Sequence, residues 1–329
     1  MTTPNVHRVG QIRARVDDAA NRLAHHVSGP LLIMYYPNEA AIEVEDVSIL
    51  YQHLRRHGLT PDSPLANINV ALHTLGGDAN ASYRLAQLLR DFACEVTFII
   101  PVYAYSGGTT ITLAGDKIVM AHCAVLSPID VGLVPVQVEP EEGSSGERLE
   151  PVAMDHYIDM AANAKVHIES AMQEHGIYGA ESKADEALMT AMVANPENAM
   201  RIATYYRQRN IAETYARQLL ANYMLKDAPP ARVNKVIDGL VTRAPDHELD
   251  MDYHICSDIG LTVSEANQEL SDLSKKLVEE LDSAADSNVI CGRKFNNSRE
   301  RKPFFHYVYP SNVPAISGGT SQDGQDKPE

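Results

Sequence analysis

The stretch Ile100-Pro-Val-Tyr-Ala-Tyr-Ser-Gly-Gly-Thr-Thr-Ile-Thr-Leu-Ala-Gly-Asp116 decides how the rest of the chain is read. An apolar run over 96–100 reads as a buried strand. A proline follows, then a serine and two glycines, and the residues after them suit a buried helix. A serine that leaves a strand and enters a helix through glycines has its hydroxyl pushed into the open. The first N–H groups of that helix have no internal partner and stand at the positive end of its dipole, which suits a developing oxyanion. Ser106 is therefore a candidate nucleophile. It also reads as a plain N-cap, because serine is among the residues that most often cap helices.

Upstream, Ile12, Val16, Ala19, Ala20 and Leu23 recur at helical spacing and predict a helix over 8–27, stopped by Ser28-Gly29-Pro30. Residues 31–36 predict a strand buried on both faces. Val44, Val47, Leu50, Tyr51 and Leu54 share one face of a helix that stops at Gly58. A second strand over 68–74 runs into Leu75-Gly76-Gly77-Asp78, where two glycines let the backbone turn sharply and approach a ligand. A helix to Phe92, a strand over 95–100 and another over 117–121 continue the alternation. The fold class is α/β, a mostly parallel sheet with helical layers. Two glycine turns at the carboxyl ends of successive parallel strands meet in the crevice where open α/β sheets bind ligands. Gly76-Gly77 could offer N–H groups to a carbonyl beside Ser106. A nucleotide-phosphate loop is not indicated, for want of a Gly-x-Gly-x-x-Gly or Gly-Lys-Ser/Thr pattern.

Downstream, residues 124–132 read as a segment closing over the site, and 139–147 as an acidic exposed loop. Helices are predicted over 152–173, 180–194, 196–207 and 211–225, with a break at Gln208-Arg-Asn, then a short helix over 231–243 and a polar loop over 244–254. A charged amphipathic helix over 262–281 precedes a mixed segment and a tail of disordered composition from Ser317. The domain reading is an N-terminal helix over 1–29, one domain over 30–265, a C-terminal helix and extension over 266–316, and a disordered tail over 317–329.

The 329 residues carry 28 Lys plus Arg against 44 Asp plus Glu, a net charge of −16, so nucleic acid and anionic membranes are not expected partners. No apolar run is long enough to cross a bilayer and the N-terminus does not read as a signal peptide, so no membrane insertion and a cytoplasmic location are expected. Cys94, Cys123, Cys256 and Cys291 form no Cys-x-x-Cys pair, and the first two read as small core residues. His25 and His26 are adjacent on a helix and point in different directions, which argues against a metal site. No cofactor is expected.

The order Gly-Gly-Asp (76–78), Tyr-Ser-Gly-Gly-Thr (105–109), Asp-Lys-Ile-Val-Met (116–120) and Leu-Ser-Pro-Ile-Asp (126–130) resembles the Clp-protease/crotonase superfamily. Within it the match is to the serine dehydrogenase proteinase family, related to signal peptide peptidases. The resemblance covers roughly residues 30–265. His247 stands thirteen residues before Gly260-Leu261, as in that family's His-acidic-Tyr-Pro-Ile segment; Glu248 keeps the acid, while Leu249-Asp250 replaces Tyr-Pro.

The resemblance implies repeated ββα/βα units with a helical C-terminal region. It implies a serine peptidase with Ser106 as nucleophile, an oxyanion hole at Gly76, Gly77 and Gly107, a peptide or protein substrate and a homo-oligomer. It leaves the base open. The histidine of Clp peptidases would fall near Leu126-Ser127-Pro128, where this chain has none. Signal peptide peptidases use a lysine forty to sixty residues after the serine, and Lys165 meets that better than Lys117. A lysine serves as base only when desolvation lowers its pKa. His247 with Asp246 or Glu248 is the rival. His122, His156 and His167 read as structural. The alternatives are a crotonase-like acyl-CoA enzyme or a catalytically silent oligomeric scaffold.

Overall fold

The computed structural model describes residues 6–27, 29–38, 40–129, 196–242, 249–290 and 302–309. Helix α1 (Val6–His26) buries Ile12, Val16, Ala20 and Leu23, and the chain leaves it through Gly29 at φ +104°. Strand β1 (Leu31–Tyr35) is buried at all five positions, α2 (Val44–Arg56) follows, and β2 (Leu65–His73) enters the sheet beside β1. Then come α3 (Ala79–Phe92), β3 (Ala93–Ile100), β4 (Tyr103–Ala104), α4 (Gly107–Thr112), β5 (Lys117–Met120) and β6 (Val125–Leu126). The described chain resumes in α5 (Pro196–Asn222) and α6 (Pro230–Ile237), which runs into a π-helical turn, Asp238–Thr242. It ends with α7 (Tyr253–Ile259), β7 (Val263–Glu265), α8 (Gln268–Asp286) and β8 (Phe304–Val308).

The main sheet has the order β7-β5-β3-β2-β1-β8, parallel except for β8, which runs antiparallel to β1. Both faces are covered, as a parallel sheet requires. Leu32, Met34, Val70, Leu72, Phe98 and Ile100 belong to one core with α2, α3 and α4. Leu31, Ile33, Tyr35 and Ala71 belong to a second, under α1 and α8. A small second sheet pairs β4 with β6 in parallel, and isolated bridges extend it to Thr74 on one side and Met251 on the other. This small sheet sits where the chain leaves β2 and β3, and it carries the glycine turns.

Buried Arg90 braces that region from the opposite end of α3. Its guanidinium donates to Ala114 O at 2.5 Å and Cys94 O at 2.7 Å, pairs with Asp116 at 2.9 Å and lies 4.4 Å over the Tyr223 ring. It thus ties the end of α3, the exit of α4 and α5 together.

Several expectations need correction. Cys94 and Cys123 are exposed, not core: Cys94 lies on the outward side of β3 near its start, and Cys123 sits at φ +64° in the turn between β5 and β6. Gln208-Arg-Asn does not break a helix, because α5 runs through it; polar residues without Gly or Pro cost a helix little. The helix expected over 262–281 starts instead at Gln268, where Asn267 accepts from Leu270 N at 2.8 Å. Val263–Glu265 are taken by the sheet edge beside β5. Tyr253 and His254, read as loop, open α7 behind an Asp252 cap. Strand β8 was not foreseen. The loop over 139–147, the helices over 152–173 and 180–194 and the tail from 317 lie outside the described residues.

Candidate functional site

The first turn leaves β2 at His73. Gly76 has φ +96° and Gly77 φ +155°. Ile42 holds the turn from one side, donating to Gly76 O at 2.9 Å and accepting from Asp78 N at 2.8 Å. A Cβ on Gly77 would run into the Ile42 backbone, so only glycine fits. Asp78 then caps α3 by accepting from Ala81 N at 2.7 Å.

The second turn carries Ser106, at φ 49° and ψ −108°. A non-glycine residue at positive φ is strained, and such strain collects at functional sites. The backbone is that of a sharp strand-to-helix turn that lifts a side chain outward. Ser106 occupies the N-cap position of α4, yet its side chain makes no capping hydrogen bond, so the plain N-cap reading does not account for it. Its amide donates to the Ser127 hydroxyl at 2.8 Å and its carbonyl accepts from Thr110 N at 3.0 Å.

The two turns touch. A Cβ on Gly76 would lie 2.7 Å from Tyr105 O, 3.0 Å from Gly107 N and 3.0 Å from Ser106 Cβ, while one on Gly107 would lie 3.2 Å from Gly77 N. Gly76 N donates to Thr74 Oγ1 at 3.0 Å. The Gly77 and Gly107 amides have no acceptor among the described residues. The geometry thus joins four of the expected residues, Gly76, Gly77, Ser106 and Gly107. Lys165 and His247, with Asp246 and Glu248, lie outside the described residues. Lys117 is level with Thr97 at the amino end of β5, on the far end of the strands from Ser106.

An aromatic ladder flanks the site. Tyr35 stacks on His73 with centroids 5.4 Å apart, His73 meets Tyr103 at 4.1 Å and Tyr103 stacks on Tyr105 at 5.1 Å. The hydroxyls of Tyr35, Tyr103 and Tyr105 donate to Asp282, Asn38 and Asp250, each at 2.5 Å. Burial, then the Asp250 hydrogen bond and charge, push the Tyr105 phenol up. Burial lowers His73 to about 4, so its imidazole is neutral near pH 7. Asp250 and Met251 follow His247 closely in sequence. Met251 exchanges backbone bonds of 2.9 and 3.0 Å with Leu126, and Leu240, before His247, accepts from Ile129 N at 2.8 Å.

Sequence reasoning missed Ser127, Thr109, Tyr105 and Asp250. Thr109 and Ser127 stand inside the Tyr-Ser-Gly-Gly-Thr and Leu-Ser-Pro-Ile-Asp stretches, Ser127 just past β6, but nothing in those stretches says that the two hydroxyls meet. Among the described residues no group of three or more His, Cys, Asp or Glu side chains could hold a metal ion. No described helix is long and apolar enough to cross a membrane.

Residues 28–140 match the family model described as ClpP-like SDH-type serine proteinase. Two uncharacterized proteins of Methanocaldococcus jannaschii are similar to this chain. MJ1495 is 39% identical over 106 residues, 32% of this chain and 34% of that protein, and MJ0137 is 39% identical over 89 residues, 27% and 29% respectively. The chain thus spans about a third of the length of the curated relatives it matches. Among solved structures, a mutant form of ClpP1 from Listeria monocytogenes aligns over 79% of this chain and 99% of that one, with a TM-score of 0.34 and 10% identity.

Proposed function

We propose that this chain is a serine endopeptidase that hydrolyses peptide bonds through an acyl-enzyme on Ser106. The observation that carries the reading is the strained backbone of Ser106, at φ 49° and ψ −108°, in a turn packed against the Gly76-Gly77 turn. Ser106 Oγ attacks the scissile carbonyl carbon while a base takes its proton. The negative charge that forms on the carbonyl oxygen is met by the Gly77 and Gly107 amides, with Gly76 leaving room for the approach. The base returns its proton to the leaving amine, and water then cleaves the ester by the same route in reverse.

The base is His247, oriented by Asp246 or Glu248, or else Lys165. His247 is favoured because its described neighbours in sequence, Leu240 and Asp250-Met251, are bonded to Ile129, Tyr105 and Leu126 around the site. The match to a serine proteinase family over 28–140 supports the reading. A crotonase-like acyl-CoA enzyme has less support, since Asp78, the carboxylate beside the glycine turn, is committed to capping α3. The resemblance further suggests a homo-oligomer working on peptide or protein substrates. Casein hydrolysis tests the proposal: wild type should release peptides and Ser106→Ala should not, and equal release by both would refute it.

A further inference from the structure

The strained Ser106 backbone must be held by something, and the bonds around it identify what. Its amide points inward to Ser127 Oγ at 2.8 Å. Ser127 is buried, and its hydroxyl donates in turn to Pro128 O at 3.1 Å, which leaves a lone pair aimed at the amide. Ser127 is itself fixed by Thr109, fully buried one turn into α4. Thr109 Oγ1 lies 2.8 Å from Ser127 O and 2.9 Å from Ala104 O, and accepts from Ser127 N at 3.3 Å. The contacts close a ring from Ala104 through Thr109 and Ser127 back to Ser106, all inside the small sheet and the first turn of α4.

We infer that Ser127 is a positioning residue for Ser106: its buried hydroxyl oxygen takes the Ser106 amide proton and keeps the serine in the backbone conformation that presents its side chain, with Thr109 holding Ser127 in place. This rests on the reading of Ser106 as nucleophile. A serine free to relax toward ordinary helical dihedrals would re-aim its Cα–Cβ bond, whose Cβ now faces the Gly76 turn. A misplacement of about 1 Å costs up to roughly 100-fold in rate. Ser127 is not the base, since its one hydroxyl proton is donated to Pro128 O and one of its lone pairs takes the Ser106 amide.

The test combines residue-resolved hydrogen exchange with the rate of fluorophosphonate labelling, on the full chain. In wild type the Ser106 amide should exchange slowly. Ser127→Ala should expose it and slow labelling about 10- to 100-fold, in the bond-forming step and not in the binding of the probe. Ser127→Thr, which keeps the hydroxyl, should recover most of that rate. Thr112→Val is the control, because Thr112 Oγ1 makes a buried bond of 2.7 Å to Thr109 O that does not reach Ser106. It should lower the unfolding temperature and leave the labelling rate alone. An unprotected Ser106 amide in folded wild type, which needs no variant, overturns the inference. So does Ser127→Ala labelling at the wild-type rate. Wild type that takes no label removes the nucleophile reading itself, and this inference with it, whatever the exchange shows.

Discussion

Gly76 and Ser106 are in contact across two turns that lie thirty residues apart in sequence, close enough that a Cβ on one would stand 3.0 Å from that of the other. Two short backbone excursions, at the ends of β2 and β3, are thereby locked to one another. Gly76→Ala should break this contact, because the new methyl also meets Tyr105 O at 2.7 Å and the residue has φ +96°. Strain of that kind costs about 1–3 kcal/mol. A urea midpoint should fall accordingly and hydrolysis should be lost. Gly10→Ala is the opposite case: nothing lies within 4 Å of the new methyl on the exposed side of α1. It should stabilise by roughly 0.5–1 kcal/mol with activity intact.

His73 predicts a pH dependence of stability. Burial lowers it from 6.5 to about 4 in the folded protein. Between those values the unfolded chain binds the proton and the folded one does not, so stability is full above about pH 6.5 and is lost as pH falls toward 4. Going from pH 7 to pH 5 this one group should cost about 2 kcal/mol. His73→Phe keeps the stacking between Tyr35 and Tyr103 and sacrifices no bond at Nδ1, which has no partner among the described residues. Denaturant titrations at the two pH values should show a smaller drop in the variant than in wild type; equal drops would mean that His73 is not the group involved.

The Tyr105–Asp250 bond of 2.5 Å spans the nucleophile's turn and the segment that follows His247. If that segment brings the base, the two residues act together. Tyr105→Phe and Asp250→Asn should each lower kcat/KM, and the double variant should be no worse than the worse single. The coupling is then as large as the smaller single effect, within the roughly 0.5–3 kcal/mol expected of residues in contact. Full additivity would show that the bond is incidental to activity.

The two candidate bases separate by their effect on kcat. His247→Ala should lower kcat by at least about 100-fold, the usual range for loss of a general base. Lys165→Ala should leave it within a few-fold. The reverse pattern would transfer the role to Lys165.

Much of this architecture was legible in the sequence because the signals were local. Residues 31–35 are apolar throughout, which suits a strand covered on both faces, and Gly76-Gly77 and Ser106-Gly107-Gly108 mark turns that few other residues permit. Edge elements were harder to read. Val263–Glu265 lie close before a strongly helical stretch, and only the free edge of β5 makes them a strand. Phe304–Val308 alternates as a strand should, but it pairs with β1, more than two hundred residues away in sequence. The supports of Ser106 were hidden for the same reason. Nothing about Ser127 in sequence says that its hydroxyl meets the amide of Ser106, twenty-one residues earlier. Cys94 and Cys123 show the converse failure, since apolar neighbours do not fix which way a strand or turn residue points.

The most direct test of the central claim is to locate a covalent fluorophosphonate adduct by peptide mass spectrometry, on wild type beside Ser106→Ala. The adduct should appear on Ser106 in wild type and be absent from the variant. Label on another residue, or label that persists in Ser106→Ala, would contradict the assignment of Ser106 as nucleophile.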